Sequence, residues 1–320
     1  MDRPNVYVTR RVPEPALALL RESANVRLWD SDDPVPREVL LRELADVDGL
    51  FCLLTERIDA ELLDRAPRLK VVANMAVGYD NFDLAAIRRR GIVATNTPGV
   101  LTETTADFAW ALLMASARRV VEGVDYVRAG RWKTWGPMLL LGQDVHHATL
   151  GVVGMGRIGA EVAKRALGFD MRVLYYDTYR REDLEQRHGY RYVDLETLLR
   201  ESDFVTLHVD LNPSTYHLIS TEQFALMKPT AHLINAARGP IVDPKALYEA
   251  LRSGKIAGAA LDVTEPEPIP PDDPLLTQPN CIIVPHIASA SVATRTRMAT
   301  LAAENILNVL AGRPAVTPIP

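Results

Sequence analysis

The stretch Thr149-Leu-Gly-Val-Val-Gly-Met-Gly-Arg-Ile-Gly-Ala160 constrains this chain more than any other. Leu150 to Val153 form a short apolar run suited to a buried parallel strand. Gly154, Gly156 and Gly159 then spell G-x-G-x-x-G, and Glu161 to Leu167 continue with helical spacing. A strand, a tight glycine turn and a helix N-terminus together make an anion site. Gly154 permits the turn, Gly156 lets backbone approach a pyrophosphate, and Gly159 allows close helix–strand packing. Arg157 and Ile158 complete the loop. The glycine pattern alone also fits a turn that binds no phosphate. A second strand, Met171 to Tyr176, ends at Asp177, 18 residues after Gly159. A carboxylate there accepts hydrogen bonds from an adenosine ribose; the plainer reading is a cap before Thr178.

Alternating apolar strands and helical patterns continue on both sides. Before the glycine loop, strands are expected at Val6–Thr9, Val26–Trp29, Gly49–Leu54, Leu69–Ala73 and Ile92–Ala94. Helices are expected between them at 14–22, 37–44, 60–65 and 84–90. After the loop, Phe204–Val209, Ala231–Asn235, Gly258–Asp262 and Cys281–Val284 complete an expected six-stranded nucleotide-binding sheet. The pattern predicts an α/β protein with two doubly wound parallel-sheet domains. The expected boundaries are 1–99 plus 288–320 for one domain and 100–287 for the other, the second inserted in the first. That division holds if the last helix, Ala293 to Leu310, packs on the N-terminal sheet. A long helix over Leu101–Arg119, with Thr104 and Asp107 as a capping pair, and a second over Val120–Ala129 would then bridge the sheets. The active site is expected in the cleft between the domains.

Composition excludes several classes. With 48% hydrophobic and 24% charged residues over 320 positions, the chain is of globular type. A formal net charge of −5 gives no reason to expect nucleic acid or an anionic membrane as partner. No apolar run approaches the ~20 residues of a membrane span. The N-terminus runs directly into a strand-like segment, so a signal peptide is not expected, and cytoplasm is the default. Cys52 and Cys281 read as small buried hydrophobes, not as a disulfide or metal pair. No Cys/His spacing suggests a metal site.

Polar residues at strand ends carry the candidate chemistry. Arg238, in Asn235-Ala-Ala-Arg-Gly239, is suited to hold a carboxylate bidentately, or to form a surface ion pair. Glu267 lies in a Pro-locked segment and His286 follows the last strand; each also reads as an ordinary loop acid or structural histidine. Together they match hydride chemistry: an imidazole as proton donor, a carboxylate that fixes its tautomer, an arginine that orients a keto acid. The loop Asn74-Met-Ala-Val-Gly-Tyr-Asp80 follows a strand end, and Ala76, Val77 and Gly78 are small enough to leave N–H groups accessible to an anion, although a plain turn needs no ligand. Arg131-Trp-Lys-Thr-Trp-Gly-Pro137 places two tryptophans in a loop, marking an interface, a pocket wall or packing on its own domain. The other six histidines fit less well; His217 lies in a polar stretch.

The four segments G-M-G-R-I-G (154–159), N-A-A-R-G (235–239), A-L-D-V-T-E-P-E-P (260–268) and P-H-I-A-S-A (285–290), in this order, resemble the D-isomer-specific 2-hydroxyacid dehydrogenases over essentially the whole chain. The resemblance implies a flavodoxin-like substrate domain and an inserted Rossmann domain, with Arg238, Glu267 and His286 as catalytic triad. It implies further cofactor contacts at Thr104, His208, Val209, Thr215, Ala236, Ala237, Asp262 and Ala288, and substrate contacts at Leu53, Ala76, Val77, Gly78 and Trp135. It also implies a homodimer formed through the nucleotide domain. Within the family the glyoxylate/hydroxypyruvate reductases are most similar, with Leu53, Leu54 and Trp135 lining a small pocket for a two- or three-carbon keto acid. Relatives of D-lactate, D-glycerate or phosphoglycerate type, and corepressors that sense NAD(H), are the alternatives. Glu267 argues against formate dehydrogenases, which carry Gln there, and Val77 against phosphite dehydrogenases, which carry Lys. Asp210 departs from the Pro usual in this turn. Asp177 favours NAD(H), while Arg180 and Arg181 leave NADP(H) open.

Overall fold

The computed structural model describes residues 3–320. The chain divides into two compact units, Met1–Leu101 with Ala290–Pro320, and Thr102–Ser289.

The first unit holds five parallel strands, β1 (Asn5–Val8), β2 (Asn25–Leu28), β3 (Gly49–Cys52), β4 (Val71–Asn74) and β5 (Val93–Thr95), in the order β2-β1-β3-β4-β5. This is a flavodoxin-like order, with its switch point between β1 and β3. β3 and β4 are buried at every residue, as strands covered on both faces must be. Helices α1 (Glu14–Ser23), α2 (Arg37–Glu43), α3 (Ala60–Asp64) and α4 (Leu84–Arg89) provide the crossovers. Asp59 and Asp83 cap α3 and α4 by accepting from Leu62 N and Ala86 N.

The second unit opens with α5 (Thr102–Ala117) and α6 (Val120–Arg128). Its seven strands are β6 (Thr149–Val153), β7 (Arg172–Tyr176), β8 (Arg191–Tyr192), β9 (Phe204–Leu207), β10 (His232–Asn235), β11 (Gly258–Leu261) and β12 (Cys281–Ile283). They are ordered β12-β11-β10-β9-β6-β7-β8, and every pairing is parallel. Its crossover helices are α7 (Arg157–Ala166), α8 (Glu182–His188), α9 (Leu195–Glu201), α10 (Thr221–Leu226) and α11 (Pro244–Arg252). The chain reverses direction across the sheet between β6 and β9, so the glycine loop after β6 lies at the switch point where such sheets bind ligands. The last helix, α12 (Val292–Leu310), packs on α1, β3 and β4 of the first unit.

Two expectations need correction. The nucleotide-type sheet has seven strands, not six: the edge strand β8 is two exposed residues long and carries no apolar run. Thr104 and Asp107 do not cap α5, because the helix starts at Thr102 and both lie inside it. Asp107 instead pairs with Arg165 of α7 at 2.7 Å. Neither α5 nor α6 belongs to the first unit; α5 packs on α7, β10 and β11.

Candidate active site

The glycine loop has the geometry for a dinucleotide. Gly154 has φ of +95°, and a Cβ there would lie 2.7 Å from the His208 carbonyl. A Cβ on Gly159 would lie 1.9 Å from Gly154 O, so helix and loop touch backbone to backbone. A Cβ on Gly156 meets nothing within 4 Å, which leaves open space above the α7 N-terminus. Gly156 caps α7 without a side-chain hydrogen bond, and the first i→i−4 bond is made by Ala160. The N–H groups of Arg157, Ile158 and Gly159 therefore lack helical acceptors and suit a phosphate. Beside the loop, His208 Nε2 meets Thr206 Oγ1 at 2.8 Å, while its Nδ1 is buried without a partner. Burial lowers the pKa of this imidazole to about 3, so the ring is neutral. Such an orphaned nitrogen is completed by a bound polar group. These residues fit an NAD(P) cofactor, whose nicotinamide supplies the hydride when bound.

Asp177 lies at the end of β7 beside the glycine loop and also accepts from the turn that follows it. Its Oδ2 accepts from Met155 N at 2.6 Å, which fixes it to the glycine loop, and its Oδ1 accepts from Tyr179 N at 3.0 Å. Arg180 is drawn away to Glu185 at 2.7 Å, and this pairing pulls the Glu185 carboxyl down to about 2. Arg181 pairs with Asp183 at 2.9 Å and donates to Met155 O at 3.2 Å, so it lies at the rim of the loop. Thr215 turns back on its own loop, its hydroxyl donating to Asp210 O at 2.6 Å.

The second unit also brings Arg238, Glu267 and His286 to strand C-terminal ends. His286 has φ of +53° and is held there by its N–H, which donates to Asp262 O at 2.8 Å. Its Nδ1 lies 2.6 Å from Glu267 Oε1. A carboxylate accepts, so Nδ1 is the donor of that bond and Nε2 is left as the ring nitrogen free of Glu267. Asp262 is buried and accepts from Ile287 N at 2.7 Å and Ala288 N at 2.9 Å, so its carboxylate shapes the turn after His286. Burial raises its pKa, against the pull of those two N–H donors. The Arg238 turn is set by Asn235, whose Oδ1 accepts from Ala237 N at 3.0 Å and whose Nδ2 donates to Arg238 O at 2.9 Å. The Arg238 guanidinium also donates to Ala237 O at 2.8 Å. Ala236 and Val209 are half-buried beside β10 and β9.

His217, set aside in the sequence, joins these segments. Its N–H donates to Pro240 O at 2.8 Å, and its Nε2 lies 2.6 Å from Glu265 Oε2, two residues before Glu267. Nothing local in its polar surroundings signalled this role.

In the first unit, Leu53 follows β3 at the switch point. Its N–H donates at 2.7 Å to Glu56 Oε2, a buried carboxylate that also accepts from Thr9 Oγ1 at 2.7 Å. Ala76 is buried, while Val77 and Gly78 are half-buried. Trp135 is 79% and Trp132 60% exposed, so neither packs into its own unit. Cys52 and Cys281 are free thiols, Cys52 buried and Cys281 half-buried. Among the described residues no cluster of His, Cys, Asp or Glu is arranged to hold a metal, and no helix is long and apolar enough to cross a membrane.

Residues 110–288 match the family described as D-isomer specific 2-hydroxyacid dehydrogenase, NAD binding domain. The chain belongs to this family. It is an NAD(P)-dependent oxidoreductase. Among its relatives, a glyoxylate reductase of Korarchaeum cryptofilum is 58% identical over 306 residues, covering 95% of this chain and 92% of that one. A crystal structure of a Thermus thermophilus protein superposes with a TM-score of 0.94 at 50% identity, covering 99% of this chain and all of that one (100%). An NADPH-dependent glyoxylate/hydroxypyruvate reductase from Sinorhizobium meliloti, solved with NADP and malonate, gives 0.85 at 34% identity, covering 99% and 97%. In this dehydrogenase the four segments that carry the resemblance all fall within the second unit, apart from Ala290.

Proposed function

We propose that this dehydrogenase reduces glyoxylate, and hydroxypyruvate with it, to the corresponding 2-hydroxy acid. The observation that carries the reading is the 2.6 Å pairing of His286 Nδ1 with Glu267 Oε1, in the same unit as the glycine loop. High identity to a named glyoxylate reductase supports the two-carbon substrate. In this reading the Arg238 guanidinium binds the substrate carboxylate and polarises the carbonyl, and protonated His286 gives its Nε2 proton to the carbonyl oxygen. Glu267 stabilises the imidazolium and fixes its tautomer. The N–H groups of Ala76, Val77 and Gly78 also bind the carboxylate, with Leu53 and Trp135 limiting substrate size. That unit, read from sequence as 1–99 plus 288–320, is the substrate domain, and 100–287 is the dinucleotide domain. Thr104, His208, Val209, Thr215, Ala236, Ala237, Asp262 and Ala288 surround the cofactor.

NADH is the preferred cofactor in this reading. Asp177 presents negative charge where a 2′-phosphate would sit, and Arg180, held by Glu185, is withdrawn from that position. The working form is a cytoplasmic homodimer. Its support is α6, which has no buried residue and exposes Val120, Val121, Val124 and Val127. Exposed Trp132, Trp135, Met138 and Leu141 continue this apolar surface, and a groove of about 570 Å³ lined by Arg119, Val121, Leu141 and Ile282 adjoins it. A second copy of the chain covers this face.

The test is NADH oxidation against a panel of 2-keto acids. Highest kcat/KM on glyoxylate or hydroxypyruvate is expected. A preference for pyruvate or a longer keto acid would reject the substrate assignment, and no turnover with any would favour a cofactor-sensing binding protein.

A further inference from the structure

The loop 76–78 is held from behind, one peptide at a time. The carbonyl of Ala76 accepts from Thr97 N at 2.8 Å. The carbonyl of Val77 accepts from Asn96 Nδ2 at 2.7 Å, and that of Gly78 from Asn74 Nδ2 at 2.9 Å. Both asparagines are buried. In a trans peptide the N–H points opposite to the C=O. Capturing these three carbonyls therefore sets the directions of the N–H groups of Val77, Gly78 and Tyr79. Among the described residues, no hydrogen bond within the protein engages those three N–H groups.

The asparagines are themselves braced. Asn74 Nδ2 also reaches Asn81 Oδ1 at 3.3 Å, and Asn81 Nδ2 donates to Leu53 O at 3.0 Å and Glu56 O at 2.9 Å. The Asn96 carbonyl accepts from Thr317 Oγ1 at 2.6 Å, and Thr317 is in turn held by Asn305 Nδ2 at 2.8 Å from α12. Neither asparagine carries a charge or a titrating group, so neither has a chemical step of its own.

We propose that Asn96 and Asn74 are positioning residues that aim the N–H groups of Gly78 and Tyr79 at the carboxylate of the keto acid, so that the N–H donors of this loop extend past Gly78 to Tyr79. The inference rests on the reading of this loop as a substrate site. An amide side chain is required because the partner is a carbonyl: Asn donates to it, whereas Asp of nearly the same shape only accepts and repels it.

The test compares Asn96→Ala, Asn96→Asp and Asn74→Asp with Val77→Pro, which removes one of the N–H groups directly. For each asparagine variant the KM for glyoxylate and the inhibition constant of oxamate should rise about tenfold, the cost of misaligned hydrogen bonds to a charged group. The kcat and the KM for NADH should stay within about twofold, a split that general destabilisation would not produce. Melting curves confirm folding, with Asn96→Ala as the milder variant should a buried Asp prevent it. If Val77→Pro raises both constants while the asparagine variants leave them unchanged, the positioning role is overturned and the loop remains a substrate site. If Val77→Pro changes neither constant, the loop reading fails and the inference fails with it. A parallel fall in kcat and in NADH affinity for the asparagine variants would also overturn it.

Discussion

Gly239, next to Arg238, gives the sharpest single test of the catalytic geometry. A Cβ there would lie 1.8 Å from Thr264 O and 2.2 Å from Thr264 C, three residues before Glu267. Ordinary van der Waals contact begins near 3.4 Å, so Gly239→Ala must separate the two segments by about 1.6 Å. Both are backbone and cannot swing aside as a side chain does. The Arg238 turn is fixed by Asn235, and His217 bridges Pro240 to Glu265 at 2.8 and 2.6 Å, so the strain reaches Arg238 and the segment that carries Glu267. A misplacement of about 1 Å costs on the order of 100-fold in rate, and overpacking costs about 1–3 kcal/mol of stability. We expect kcat on glyoxylate to fall about 100-fold and Tm to drop by about 2–10 °C. NADH affinity, read by fluorescence quenching, should hold within about twofold because the glycine loop does not touch this contact. Gly258→Ala is the control: its Cβ would lie 2.8 Å from the His232 ring, away from the triad residues. It should lower Tm and leave kcat nearly unchanged. If Gly239→Ala retains kcat within about threefold while Tm falls as in the control, Arg238 and Glu267 are not mechanically coupled and the argument is wrong.

Four further outcomes are expected. His286→Ala should lower kcat by about 10²–10⁴-fold without weakening NADH binding, and an unchanged kcat would remove His286 as proton donor. Asp177→Ser should shift the NADH/NADPH ratio of kcat/KM by at least about tenfold toward NADPH, the loss of one charge-mediated discrimination; an unmoved ratio would assign cofactor choice elsewhere. Val124→Asp, on the exposed face of α6, should halve the solution mass measured by light scattering if that face joins two copies. His208 and His232, depressed by burial to about 3 and about 4, are neutral in the fold and protonate more readily when unfolded. Their contribution to stability is therefore complete above pH ~6.5 and declines as pH falls from there toward the folded values. His232→Asn should flatten that decline in urea melts recorded across pH 4 to 7; an unaltered slope would refute the burial argument.

Periodicity located the parallel strands well because strands covered on both faces are continuous apolar runs, as at Leu150–Val153 and Leu233–Ile234. It failed at β8, where Arg191 and Tyr192 form an exposed edge with nothing to bury. Capping signals failed at α5 because Asp107 meets a residue 58 positions away, Arg165, and a local rule has no access to that partner. Arg238, Glu267 and His286 stood out in the sequence because hydride chemistry calls for such residues at strand ends. Asn74, Asn96, Glu56 and His217 did not stand out, since each acts through hydrogen bonds that follow no fixed sequence spacing, three residues for Glu56 with Leu53 and 19 for Asn96 with Val77. Only three-dimensional contact distinguishes an asparagine that aims a peptide from one that caps a turn.

The acids at the strand ends make the same point from the side of chemistry. Asp177, Asp262 and Glu56 all lie near sheet switch points or near Arg238, Glu267 and His286; from sequence Asp177 reads as a ribose acceptor or a cap, Asp262 as a cofactor contact, and Glu56 carries no signal. In the structure their oxygens accept from main-chain donors: Met155 and Tyr179, Ile287 and Ala288, and Leu53. Those contacts hold each carboxylate in place as a backbone acceptor, although at Asp262 burial outweighs its two N–H donors and raises the pKa. Glu267 differs, because its nearest partner is an imidazole, at 2.6 Å. That partner is a side chain that can exchange a proton, whereas the main-chain N–H donors on the other acids cannot. Replacing Asp262 by Asn should therefore displace the His286 turn and lower kcat without altering the shape of its pH profile. Replacing Glu267 by Gln should alter that shape, because the imidazolium loses its counter-charge while the hydrogen bond is retained. Equal effects of the two substitutions on the pH profile would show that the acids are not divided in this way.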